Sequence, residues 1–185
     1  YIGNKENILV TIFSILQKNN VYGKTFFDFF SGTANVGKFF KEKHYQVFSS
    51  DILYLSYCLQ KAYIENNAEP SFENLLNNLQ NLNSENLFST PLDIVVNYLN
   101  SLTGVEGFIY KNYTPTGTEN LPMQRMYFID ENGKRIDAIR LKIEDWKNKS
   151  LISENEYFIL LACLIETIGF YSNVAGVYAA FHKAW

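Results

Sequence analysis

The sequence predicts an α/β fold with an incomplete parallel sheet and a largely helical insertion. Three observations carry this expectation. Two short apolar segments flank a helical pattern near the start of the chain, the first ends in an acid and a small-residue turn, and the second ends in another acid. Strand, tight turn, helix, strand and acid form half of a doubly wound nucleotide-binding unit.

Taken in order, Glu6 to Gln17 places Ile8, Leu9, Ile12, Ile15 and Leu16 at helical spacing. Lys24 to Phe30 is aromatic-rich and bounded by Gly23 and Gly32, the pattern of a buried strand, with Phe26–Phe30 at its centre. A crossover helix is expected over Val36–Lys43, a second strand over Tyr45–Ser50 ending at Asp51, and a second helix over Tyr54–Asn66. The texture then changes to Asn- and Leu-rich sequence, with helices expected at Phe72–Leu82 and Pro91–Leu102. Gly104 to Met126 carries turn signals, including Thr114-Pro115-Thr116-Gly117, and reads as an irregular excursion. Beyond Asn132, Ile136, Ile139, Ile143 and Trp146 mark one helix face. Ser153-Glu154-Asn155-Glu156 has the form of a capping box that opens a helix through Ile168. The expected organisation is a cofactor-binding βαβ unit over 1–67, a helical and irregular insertion over 68–150, and helices returning to the core over 151–185.

Composition narrows the function classes. The 185 residues are 47% hydrophobic and 16% aromatic, enough for a substantial core. No stretch reaches the roughly 20 apolar residues of a membrane span, and Glu166 interrupts the most apolar run, so a cytoplasmic protein is expected. Cys58 and Cys163 lie in apolar helical patterns and read as structural, while His44 and His182 are too few and too far apart for a metal site. A net charge of −3 argues against a generally basic nucleic-acid coat, leaving room for a local basic face.

Asp28 to Gly37 is the first constellation with chemistry in it. A strand ending in small residues before a helix turns backbone amides toward a ligand, and glycine at position 32 permits close approach. An acid at the tip of the second strand, Asp51, suits ribose hydroxyls. The loop lacks the G-x-G-x-x-G spacing of a dinucleotide site, and Asp28 would repel a diphosphate while attracting a cation. S-adenosylmethionine, with its sulfonium and ammonium, has that charge.

Asp28-Phe29-Phe30-Ser31-Gly32-Thr33 resembles the D-x-F-x-G-x-G motif of DNA amino-methyltransferases. Tyr1-Ile2-Gly3-Asn4-Lys5 is similar to the opening of the adenine-modifying branch. Arg125-Met126-Tyr127-Phe128, Asn132 to Arg140, and Ser172 to Lys183 resemble stretches of bacterial modification methylases. The resemblance implies a Rossmann-like methyltransferase that methylates N6 of an adenine flipped out of double-stranded DNA, in a restriction–modification system with a cognate endonuclease. It implies cofactor roles for Tyr1 and Lys5, for Asp28, Phe30, Gly32, Thr33, Ala34 and Asn35 on the methionine side, for Asp51 on the ribose, and for Ile52 against the adenine. Ala34 stands where the family pattern has glycine, a substitution that is harmless if its φ is negative.

The DNA-contacting candidates are Arg125, Lys134, Arg135, Arg140 and Lys142; for these, a solvated helix face is the competing reading. The family's catalytic Asp-Pro-Pro-Tyr type of motif is not in these residues, because prolines stand only at 70, 91, 115 and 122. No catalytic residue is therefore assigned. The chain starts at Tyr1 rather than Met and stops at Trp185 inside an apolar run, so a longer parent enzyme is expected and the fragment is expected to be inactive alone. The alternatives are methyl transfer to RNA or protein on the same fold, and a non-catalytic module that binds cofactor or a partner.

Overall fold

A computed structural model describes residues 5–78, 89–174 and 180–183. The chain divides into two compact units, Tyr1–Ala68 and Glu69–Trp185.

In the first unit a 3-10 turn, Glu6–Ile8, leads into α1 (Leu9–Lys18). Strand β1 (Thr25–Asp28) is followed by α2 (Asn35–Glu42) and β2 (Gln46–Ser49). The strands are parallel neighbours, with Thr25 opposite Gln46 and Asp28 opposite Ser49. Their alternation sends Phe26 and Val47 to the covered face, where they pack on a core of Leu9, Val36 and Phe40 with Phe13, Phe39 and Tyr45. Phe26 stacks on Phe40 at 3.7 Å between ring centroids. The opposite face carries Phe27 and Phe48, each more than half exposed.

Both strands are shorter than the sequence suggests. Phe29 and Phe30 leave the β ladder because the chain is already turning: Ser31 donates its amide to Ser50 O, and Gly32 adopts φ 53°. The helix expected over Tyr54–Asn66 is α3 (Tyr54–Gln60) continued by a π-helical turn, Lys61–Glu65. Lys41 Nζ closes its end by donating to the carbonyls of Tyr63 and Ile64, both at 2.9 Å, and of Asn66. A cation on the last carbonyls of a helix satisfies acceptors that have no intrahelical partner.

The second unit contains α4 (Glu73–Asn78), α5 (Pro91–Asn100), α6 (Phe108–Tyr113), α7 (Asp130–Asn148) and α8 (Glu154–Ile168). The helix expected over 72–82 is seen as far as Asn78; its remainder lies outside the described residues. Pro91 occupies the first turn of α5 behind a Thr90–Asp93 capping box. Ser153 and Glu156 form the box that opens α8, as the sequence predicts. Ile136, Ile143 and Trp146 are buried on α7, Ile139 is half-buried, and Trp146 lies 5.6 Å from Tyr98 of α5. Cys58 is buried, whereas Cys163 is only half-buried.

The excursion from Gly104 to Met126 is more ordered than its composition implies. It contains α6 and a 3-10 turn, Thr116–Thr118. The reason is a long-range cap: buried Asp137 of α7 accepts the amides of Ile109 at 2.9 Å and Tyr110 at 2.8 Å. Gly107 makes that approach possible, since a Cβ there would sit 2.6 Å from Asp137 Cγ. Among the described residues no helix is long and apolar enough to cross a membrane.

Candidate functional site

Asp28 closes β1, and Asp51 follows β2 by two residues, so parallel pairing brings both carboxylates to the same end of the sheet. Asp51 is held chiefly by backbone: Gly32 N–H donates to Oδ2 at 2.8 Å and Leu53 N–H to Oδ1 at 3.0 Å. These amides, Leu53 first and Gly32 next, keep the carboxyl below its ordinary range and therefore ionised at neutral pH. Each oxygen retains a lone-pair direction for a further donor.

Asp28 is the opposite case. Burial pushes its pKa up, opposed by attraction to Lys5 and by the Gly37 amide at the start of α2, and reinforced by repulsion from Asp51. Its Oδ2 is buried and has no hydrogen-bond partner among the described residues, and the same holds for Ser31 Oγ. A bare buried carboxylate oxygen is costly, and a cationic donor would relieve it. The Asp28 carboxylate caps α2 with one side and presents an unmet acceptor with the other.

The loop between them is strained. Ala34, fully buried, adopts φ 62° and precedes the first residue of α2; its amide donates to Ser31 O at 2.8 Å. The sequence reading tied harmlessness to a negative φ, and the structure corrects that: the alanine sits in the left-handed region that the family's glycine would occupy without cost. Thr33 lies in the same turn and Asn35 begins α2. Phe30 is 76% exposed and Ile52 97% exposed, both at the strand ends. Lys5 lies close enough to act on Asp28, and Tyr1 lies outside the described residues.

The basic candidates belong to the second unit and are mostly partnered. Lys134 Nζ pairs with Glu106 at 2.7 Å, and Arg140 donates to Glu144 at 2.6 Å and to the Tyr157 hydroxyl at 3.3 Å. Lys142 lies 3.9 Å from Asp145. Arg125 donates through Nη1 to Asn112 O at 3.0 Å and is exposed, as is Arg135. Local carboxylates thus offset Lys134, Arg140 and Lys142. Among the described residues no cluster of His, Cys, Asp and Glu could hold a metal ion.

The family model for D12 class N6 adenine-specific DNA methyltransferases matches residues 1–185. The chain belongs to this family. It is 42% identical over 186 residues to the type II methyltransferase M.FokI of Planomicrobium okeanokoites, covering 100% of this chain and 27% of that protein. It is 37% identical over 188 residues to the modification methylase LlaI of Lactococcus lactis, covering 100% of this chain and 27% of the relative. It is 38% identical over 187 residues to the type II methyltransferase M.NlaIII of Neisseria lactamica, covering 99% of this chain and 49% of the relative. The chain therefore spans about a quarter to a half of the length of these D12-type relatives. No solved structure gives a significant match.

A methyltransferase of the D12 family requires a methyl donor. Sequence reasoning assigned no role to Asn173, or to the apolar cleft near Arg125 described below. Asn173 lies within the Ser172 to Lys183 stretch, and nothing in its spacing indicates that it bridges two distant segments.

Proposed function

We propose that the first unit binds S-adenosylmethionine at the tips of β1 and β2, in a Rossmann-like methyltransferase arrangement. We further propose that the protein methylates N6 of adenine at specific sites in double-stranded DNA, as a restriction–modification enzyme in the cytoplasm alongside a cognate endonuclease. The observation that carries the reading is the pair of acids at adjacent strand ends, one ionised and framed by amides, the other with a buried oxygen lacking a donor.

In this reading Asp51 accepts the ribose hydroxyls and Ile52 lies against the adenine. Asp28, with Phe30, Gly32, Thr33, Ala34 and Asn35, surrounds the methionine end, and the unmet Asp28 oxygen takes the ligand's ammonium. Lys5 and Tyr1 complete the wall. When bound, S-adenosylmethionine supplies a methyl group on a positively charged sulfur. The protein's part is to orient the ligand and keep water from its cationic end.

Residues 68–150 are proposed to read DNA, with Arg125 and Arg135 the better placed cations, and residues 151–185 to return to the core. Lys134, Arg140 and Lys142 would reach a phosphate only by exchanging their carboxylate partners. These residues hold no adjacent prolines, so the transfer step is assigned to sequence of the kind by which the relatives exceed this chain.

The test is tritiated methyl transfer from S-adenosylmethionine to DNA, followed by nucleoside analysis. The full-length protein should yield N6-methyladenine and the 185-residue chain nothing. Turnover by the 185 residues, or a product other than N6-methyladenine, would refute the assignment.

A further inference from the structure

The second unit holds an open cavity of about 410 Å³ lined by Leu121, Pro122, Met123, Arg125, Tyr127 and Phe181. None of these belongs to the strand-tip site. The volume falls in the range of sites that take small ligands, and among the described residues no carboxylate lines it. Met123 is 65% exposed and Leu121 44%, so apolar side chains face water around a guanidinium.

The walls are built. Asn173, buried, donates its amide to Tyr127 O at 2.8 Å, and its Nδ2 donates to Met126 O at 3.0 Å and His182 O at 2.8 Å. His182 returns its amide to Asn173 O at 3.2 Å, and Val174 and Phe181 form an antiparallel bridge. One side chain thereby ties the 126–127 segment to the 181–182 segment, some fifty positions on. The result is an edge-to-face pair, Tyr127 and Phe181, with centroids 4.9 Å apart. Arg125 is fixed on the rim by its amide to Thr118 Oγ1 at 2.8 Å and by Nη1 to Asn112 O, which leaves guanidinium donors over.

We infer that this cleft takes an unstacked nucleobase of a DNA strand, held against Tyr127, Phe181 and Met123, with Arg125 on the adjoining phosphate. The chemistry selects this ligand. A planar π system suits aromatic rings and a polarisable sulfur, and a flanking anion suits a guanidinium. Every base has a π face, so the site tolerates base type, unlike a pocket that must distinguish a methyl-accepting adenine. Asn173 acts as its positioning residue. The inference rests on the reading of this chain as one that acts on DNA.

The test is fluorescence anisotropy of a labelled single-stranded oligothymidylate with the 185-residue chain. Thymidylate contains no adenine, so a target-adenine pocket would not take it. Phe181→Ala should weaken binding by roughly 5- to 150-fold, the range for loss of one base–aromatic stack. Arg125→Gln should weaken binding and reduce the salt dependence by about one released ion. Met123→Glu, at the exposed rim, should weaken it without altering circular dichroism or melting, and decides the matter if Phe181→Ala fails to fold. Failure of the wild type to bind, or equal binding by wild type, Arg125→Gln and Met123→Glu, overturns the inference. S-adenosylmethionine titration of the wild type separates the two readings. Cleft-dependent oligonucleotide binding without cofactor binding keeps this inference and removes the strand-tip proposal.

Discussion

Gly32 donates its backbone N–H to Asp51 Oδ2 at 2.8 Å, joining the turn after β1 to the second residue beyond β2. The bond spans nineteen positions. Removing Asp51 leaves two amides without acceptors, those of Gly32 and Leu53. Asp51→Ala should destabilise the chain by about 1–2 kcal/mol and Asp51→Asn by less, since one acceptor remains. Urea denaturation followed by circular dichroism measures both, and an Ala variant as stable as wild type contradicts the stated role of these bonds.

At Ala34 opposing effects nearly cancel. Left-handed backbone costs an L-residue about 1–2 kcal/mol, which glycine would recover. Ala34→Gly also loses a buried methyl, about 0.8 kcal/mol, and adds unfolded-chain entropy of about 0.5–1 kcal/mol. The Gly variant should lie within about 1 kcal/mol of wild type, whereas Ala34→Val, β-branched at positive φ, should lose more than about 2 kcal/mol. Equal tolerance of Gly and Val in thermal melts would contradict the φ assigned here.

Asp28 makes stability depend on pH. Its folded-state pKa lies above the ordinary 3.8, chiefly through burial. The folded protein therefore holds that proton more tightly than the unfolded chain. The Asp28 contribution to stability is fullest below 3.8 and is lost as pH rises through the folded value. Asp28→Asn should remove this slope. A bound cation favours the carboxylate, so cofactor affinity should move the opposite way, rising with pH through the same window. Denaturation and binding series on wild type and Asp28→Asn check both signs.

Glu156 joins two elements. Its Oε2 accepts the Ser153 amide at 2.8 Å within the α8 capping box, and its Oε1 accepts the buried Phe72 amide at 2.5 Å. Phe72 is itself left-handed, at φ 48°. Glu156→Ala should cost about 2–4 kcal/mol, combining a lost cap with an orphaned buried amide. Glu156→Gln, retaining one acceptor, should cost less than half of that. An Ala variant that melts like wild type refutes this account.

The elements legible in the sequence were those fixed by local pattern. Pro91, Ser153 and Glu156 announce helix starts with chemistry contained in four residues, and Asp28 and Asp51 stand at strand ends that aromatic runs delimit. Features set by distant partners were not legible. Helix α6 depends on Asp137, and nothing in Phe108–Tyr113 names a carboxylate 28 positions away as its cap. The shortening of β1 depends on Ser31 meeting Ser50 O, a consequence of pairing rather than of the aromatic run itself. Among the basic candidates, charge was visible but neighbours were not. Arg140 reads as a free cation until Glu144 and Tyr157 are placed around it.

The central claim is that the two strand-tip acids hold S-adenosylmethionine, and isothermal titration of the 185-residue chain with that ligand tests it most directly. Wild type should bind. Asp51→Ala should lose about 1–3 kcal/mol, the cost of leaving ribose hydroxyls unpaired. Asp28→Asn should weaken binding as well, by removing the negative charge opposite the ammonium. Affinities equal in wild type and both variants, or no binding by the folded wild type, would contradict the account.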